Sequence, residues 1–296
     1  MQKNFALPAI AAALSVGALA PMADGCAPEG GGNPRNDCAT RDARGDNLAV
    51  VGLTADGKLV CFRDDRPNRT DEIGAVTGLA GDTSLIGIDY RPATNVLYGV
   101  GNAGGVYTID AGTAGATKVA QLNVALQGTL FGVDFNPTVD RLRIISDTGQ
   151  NLRADVTTGA TLVDTPLNIP GTTPVNPATG VIGAAYTNND ADPNTGTTLF
   201  DIDTGANRDQ AVIQSPANSG QLAATGKLLV DATGAVGFDI YAFQDNGTTA
   251  ANRGRAVIQS GGAYGFYGID LLTGRASSIG TFSVPVVDVA IPTAQS

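Results

Sequence analysis

Aspartate is the residue type in this chain that could do chemistry by repetition. Asp89, Asp134, Asp239 and Asp288 each sit in a short apolar segment that recurs about every fifty residues, with Ala185 in the acid's place in the copy between Asp134 and Asp239. If the segments are inner strands of a ring, the four carboxylates surround its axis. A pair of them at suitable separation could hydrolyse a glycosidic bond, one as acid and the other as base or nucleophile. The competing reading is structural. Gly-apolar-Asp recurs as Gly87-Ile88-Asp89, Gly132-Val133-Asp134 and Gly237-Phe238-Asp239, as expected of a short acid that satisfies backbone amides between repeats. Catalytic acids usually break a repeat, so the structural reading is preferred, with ion or ligand binding in the channel as a third.

A second acidic pattern lies outside the repeat. Asp190, Asp192 and Asn194 alternate along a turn-rich stretch, and Asp201 follows. Counted from Asp190 as position one, they fall at three, five and twelve, where an EF-hand loop places oxygen ligands for calcium. Thr195 stands where that loop needs Gly, and the closing acid is Asp rather than Glu. The bland alternative is a polar surface loop. The motif aligns Asp201 with Thr108, Arg153 and Gly268, positions where sister repeats carry no acid.

Other chemistry is excluded by composition. There is no His, so His-containing triads and imidazole metal ligands cannot be built. With 28 acidic against 18 basic residues the net charge is -10, which repels nucleic acid and anionic lipid surfaces. Trp is absent and Tyr is scarce, so flat platforms for sugars are few. Tyr90, Phe135 and Tyr186 occupy equivalent places and read as packing residues. Arg141 and Arg143 share one strand face and read as a solvated edge.

The elements that must position these residues are strands. Glu and Lys, good helix formers, are rare, while Gly reaches 39. The segment Leu85-Ile86-Gly87-Ile88-Asp89-Tyr90-Arg91-Pro92 recurs as Leu130-Phe131-Gly132-Val133-Asp134-Phe135-Asn136-Pro137, with weaker copies at Ile182–Tyr186, Val236–Ile240 and Val286–Pro292. A second alternating segment recurs at Gly105–Asp110, Asn151–Asp155, Thr198–Asp203 and Gly265–Asp270, with Lys58–Arg63 as a divergent first copy. Several copies run into Thr-Gly, where Asp bonds turn amides and Gly takes positive φ. Four antiparallel strands per unit make a propeller blade.

The pattern opens in mid-unit at Leu48–Leu53 and ends on an orphan first strand, Val286–Ile291. Joining the ends gives an all-β, five-bladed β-propeller closed by pairing of the N- and C-terminal strands. A β-solenoid, or another blade count, is the alternative.

Stretches such as Val51-Gly52-Leu53-Thr54-Ala55-Asp56-Gly57, Gly87–Pro92, Gly132–Pro137 and Ala185–Asp190 resemble the bacterial family catalogued as domain of unknown function 4394. The likeness runs from about Leu48 to Ile291. It implies an exported, repeat-built protein and supplies no activity, substrate or catalytic residue.

Residues 1–23 read as a signal peptide, with Lys3 ahead of the uncharged apolar run Phe5–Ala20. The flanks favour cleavage and release over lipidation at Cys26. Residues 24–47 form an irregular arm, and 48–296 a single propeller domain. One disulfide is expected: Cys26 with Cys38, leaving Cys61 in the core, or Cys38 with Cys61. The expected protein is periplasmic or extracellular, without a membrane span, and a monomer. It would be a non-enzymatic binding or scaffolding propeller for a small molecule, glycan or protein, with calcium as the candidate cofactor and a glycoside hydrolase using the inner-strand acids as the alternative.

Overall fold

In the computed structural model, residues 47–171, 177–190, 192 and 194–295 are described. The Cys26 and Cys38 part of the disulfide expectation, the signal segment and most of the arm lie outside them. Five four-stranded antiparallel sheets make up the fold. The first blade holds β4 (Leu85–Arg91), β5 (Val96–Gly101), β6 (Gly105–Ile109) and β7 (Ala116–Gln121). The second holds β8 (Phe131–Asn136), β9 (Arg141–Ser146), β10 (Asn151–Ala154) and β11 (Thr161–Val163). The third holds β12 (Val181–Tyr186), β13 (Leu199–Asp203), β14 (Gln210–Gln214) and β15 (Leu222–Lys227). The fourth holds β16 (Val236–Asp245), β17 (Thr248–Ser260), β18 (Ala263–Ile269) and β19 (Ala276–Thr281).

The fifth blade closes the ring. Its inner strand is β20 (Val286–Ala290), paired with β1 (Ala49–Thr54), which continues into β2 (Lys58–Arg63) and β3 (Asp71–Ala75). Val51 faces Ala290 and Gly52 faces Val289 across this antiparallel seam. Both edges that an open array would expose are thereby covered at the axis.

The core is divided among the interfaces between blades. Val51, Leu53, Ile88, Tyr90 and Leu97 fill the layer between the fifth and first blades. Between the first and second, Tyr98 meets Phe135 edge to face at 5.2 Å. Between the fourth and fifth, Phe62 packs on Phe266 and Phe282 at 5.2 and 5.0 Å. Tyr90, Phe135 and Tyr186 are all buried in such layers, which agrees with the packing role read from their equivalence.

Local sequence explains two recurring features. At the end of a third strand, Asp155 Oδ1 accepts the N–H groups of Thr157 and Thr158, and Asp270 does the same for Leu272 and Thr273. Gly159 then takes φ 75°, a left-handed turn that a side chain would strain. At the axis, a Cβ on Gly132 would lie 2.7 Å from the Ala184 nitrogen of the third blade. Glycine there lets neighbouring inner strands approach.

One motif copy is misplaced by sequence alone. The segment Leu199–Asp203 resembles third strands in ending on Asp-Thr-Gly, yet it is the second strand of its blade. Residues 187–190, 192 and 194–198 lie in the connection between β12 and β13. The position of Asp201, opposite Ala184, is held in other blades by Gly99, Ile144, Ala256 and Gly52. The comparison with Thr108, Arg153 and Gly268 is therefore replaced by this one.

Candidate functional site at the propeller axis

Each inner-strand acid reaches an amide on the next blade. Asp89 Oδ2 accepts the Phe135 N–H at 2.8 Å, while its Oδ1 accepts its own neighbour, Tyr90 N–H, at 2.7 Å. Asp134 Oδ1 accepts the Tyr186 N–H at 3.0 Å, and Asp239 Oδ2 the Ile291 N–H at 2.6 Å. Asp288 Oδ2 accepts the Ile88 N–H at 2.8 Å, which ties the fifth blade to the first. These hydrogen bonds clasp neighbouring blades together.

Asp288 is not the register equivalent of the other three. Asp89, Asp134 and Asp239 stand opposite Tyr98, Arg143 and Arg255 on second strands. The matching residue of the fifth blade is Ala290, opposite Val51, and Ile291 is the residue whose amide Asp239 engages. Asp288 stands two residues earlier, level with the axial glycines, and its carboxylate lies against Gly87 and Gly237. A shift of two preserves the face of a strand, so alternation alone could not reveal it.

The acids of the first, second and fourth blades converge. Asp89, Asp134 and Asp239 offer oxygens that all lie within 4.8 Å of one another. Each residue is buried. Burial pushes the Asp89 and Asp134 carboxyls well above the usual range, and the neighbouring acids add to it. Burial likewise raises Asp239 to about 7 and Asp288 to about 8, against the pull of their amide donors. Such a group retains protons at neutral pH or balances its charge with a cation.

The residues of the calcium-like pattern take separate roles. Asp190 Oδ1 accepts the Asp192 N–H, and its Oδ2 accepts the Thr249 hydroxyl at 3.0 Å. Asp192 Oδ1 accepts the Asn194 N–H at 2.9 Å. Asp201 is fully buried on β13, neither of its oxygens has a hydrogen-bond donor, and burial raises its carboxyl well above the usual range. Among the described residues, the acids grouped closely enough to share an ion are those of the axis. The loop instead bridges the third and fourth blades, where Ala185 supplies no clasp. Asn189 Nδ2 donates to the Ile240 carbonyl at 2.9 Å, and Asn188 and Asn252 exchange two hydrogen bonds.

The solvated-edge reading of Arg143 is corrected. Its side chain is 1% exposed, and its guanidinium donates to Asp164, Asn151, Asn218 and the Tyr186 hydroxyl. Asp164 and Asn218 come from distant segments, so no local signal marked this cluster. Arg141, on the same face, remains exposed beside Asp155 at 3.4 Å.

Two cavities adjoin the ring. One of about 370 Å³ lies between the fifth and first blades and is mainly apolar, with Val50, Cys61, Tyr90 and Leu97 in its wall. The other, of about 490 Å³, is the mouth of the axis on the side where the inner strands begin. Ser84, Asn102, Thr129, Leu130, Phe131 and Asp288 are among the residues lining it.

A family model described as a domain of unknown function, DUF4394, matches residues 58–290. The chain belongs to this family. The comparison with curated proteins finds no match for this DUF4394 member. Among solved structures, it is similar to a chain of a nidogen/laminin complex, with 10% identity and TM-score 0.48 over 84% of this chain and 100% of that one. It is also similar to a structural genomics protein of unknown function from Bacteroides thetaiotaomicron, with 16% identity and TM-score 0.45 over 89% and 70%. An auxiliary nutrient binding protein from Bacteroides ovatus matches at 14% identity and TM-score 0.38, over 76% and 57%.

Within the described residues, no helix is long and apolar enough to cross a membrane.

Proposed function

We propose that this DUF4394 member is an exported, non-enzymatic propeller that binds a small molecule in the recess at the mouth of its axis. The observation that carries the reading is how the axial acids are used. Each holds a backbone amide of the neighbouring blade, and Asp89, Asp134 and Asp239 are 6%, 2% and 3% exposed. Glycoside hydrolysis needs two carboxyl groups flanking a sugar, roughly 5 to 9.5 Å apart and open to it. Acids that close the seams between blades do not offer that access.

What the ring leaves open is the mouth, whose volume of about 490 Å³ falls in the range of small-molecule sites. Rigid blades hold its rim of loops, an arrangement that favours recognition. An unbiased glycan and metabolite binding screen tests the reading, run beside Ser84→Trp, which would fill the recess. A ligand that binds the parent and not the variant is the expected result. Ligands unaffected by Ser84→Trp would move the site elsewhere. Export is tested separately by intact mass: protein secreted by a bacterial host should lack its first twenty or so residues.

A further inference from the structure

We infer that the recess at the axial mouth receives a small organic cation, with an ammonium or guanidinium group seated on Asp288. This deepens the binding reading above and rests on it. Among the described residues that line the recess, Asp288 is the one charged group. Its surface is partly open, unlike that of the three acids behind it.

The hydrogen bonds leave room for such a ligand. Asp288 Oδ2 accepts the Ile88 N–H at 2.8 Å and Oδ1 the Val289 N–H at 2.9 Å. Each carboxylate oxygen can accept about two hydrogen bonds, so one further donor fits on each. The two amides also fix the carboxylate in place before a ligand arrives, which limits the entropy lost on binding.

Charge selects the sign of the ligand. Asp239 on β16, Asp89 on β4 and Asp134 on β8 stand behind Asp288; Asp89 and Asp134 feel the charge of the other acids, and Asp288 that of Asp239. The wall of the recess is mixed, with Leu85 and Phe131 beside Ser84, Asn102 and Thr129, and the negative charge that Asp288 takes on as pH rises faces the opening. An anion is repelled there. A bare metal ion would use only a small part of a volume of about 490 Å³, whereas a methylene stem carrying the charge can cover Leu85 and Phe131.

Proton linkage supplies a signature. Burial holds the Asp288 carboxyl at about 8 and the neighbouring Asp239 at about 7. A bound cation favours the ionised form, so binding should release protons near neutral pH and tighten as pH rises through about 8.

The test is calorimetric titration of the full chain with butane-1,4-diamine and agmatine. Butane-1,4-diol, succinate and calcium chloride serve as neutral, anionic and metal arms. The expected result is binding of the two amines, about fivefold or more tighter at pH 8.5 than at 6.5, with heats that differ between two buffers in proportion to proton release. Asp288→Asn should weaken binding about tenfold or more. Asp288 also holds a ring-closing amide, so if that variant fails to fold, loss of amine binding in Ser84→Trp together with the two-buffer measurement on the unaltered chain decides. Amines that do not bind, bind without proton release, or are outcompeted by calcium as the sole ligand overturn the inference. A neutral or anionic ligand blocked by Ser84→Trp would sink it while leaving the binding reading intact. Indifference of every bound ligand to Ser84→Trp would sink both.

Discussion

Arg143 Nη1 lies 2.7 Å from Asp164 Oδ2, and the two side chains are 1% and 5% exposed. Asp164 is also held by Arg153 Nε at 2.6 Å, and Arg143 reaches Asn218 across the seam between the second and third blades. Removing Arg143 leaves Asp164 with Arg153 as its guanidinium partner and takes a donor from the Asn151 and Asn218 side-chain oxygens. Arg143→Met is therefore expected to lower the unfolding free energy by about 3 kcal/mol. Arg143→Lys should recover little, because one ammonium cannot reproduce the fork. Urea midpoints measure both, and a loss under about 1 kcal/mol for Met would show that the cluster adapts.

Stability should fall as pH rises from acid to mildly alkaline. Asp239 and Asp288 have folded values of about 7 and about 8, against roughly 4 in an unfolded chain. Between those limits the folded state binds more protons. The stabilisation is complete below about pH 4 and lost as pH passes through about 8, on the order of 4 kcal/mol for Asp239 taken alone. Guanidinium midpoints at pH 5 and 8.5 should differ in that direction, and Asp239→Asn should flatten the slope. A profile that rises across this window would contradict the shared-burial account of the axis.

Gly159→Ala should cost about 1 to 3 kcal/mol. Its φ of 75° disfavours a side chain, and the added Cβ would stand 2.0 Å from the Gln121 carbonyl oxygen. Thermal melts compared with Gly171→Ala, whose φ is 87° but whose Cβ would meet nothing within 4 Å, separate strain from collision. Equal losses in the two variants would mean that backbone strain accounts for the whole effect.

Truncation after Thr281 removes β20 and leaves β1 without its inner neighbour. The expected product is insoluble or partly unfolded, because Asp288 and Val289 no longer bind β1 and β4. A monomer with an unchanged cooperative melt would refute closure by both ends.

Much of the ring is legible in the sequence because its rules are local. Alternation marks strands, and Asp155-to-Thr158 chemistry marks turns. Three features escape those rules for physical reasons. Leu199–Asp203 ends like a third strand because its Asp203 also caps a turn, accepting the Gly205 N–H. Asp288 slides by two residues without changing face. Arg143 reads as surface until Asp164 and Asn218 arrive from other segments. Of the site, the axial acids were visible one by one. Their convergence within 4.8 Å and the recess above Asp288 depend on five blades meeting.

The seam between β1 and β20 also sets an order of events. The first strand of the described chain must wait for the last before it has an inner neighbour. A pairing across nearly the whole chain carries a large loop-closure entropy and is intrinsically slow. Because the core lies between blades, a polypeptide delivered from its first residue to its last cannot lock its blades into a ring until its tail has arrived.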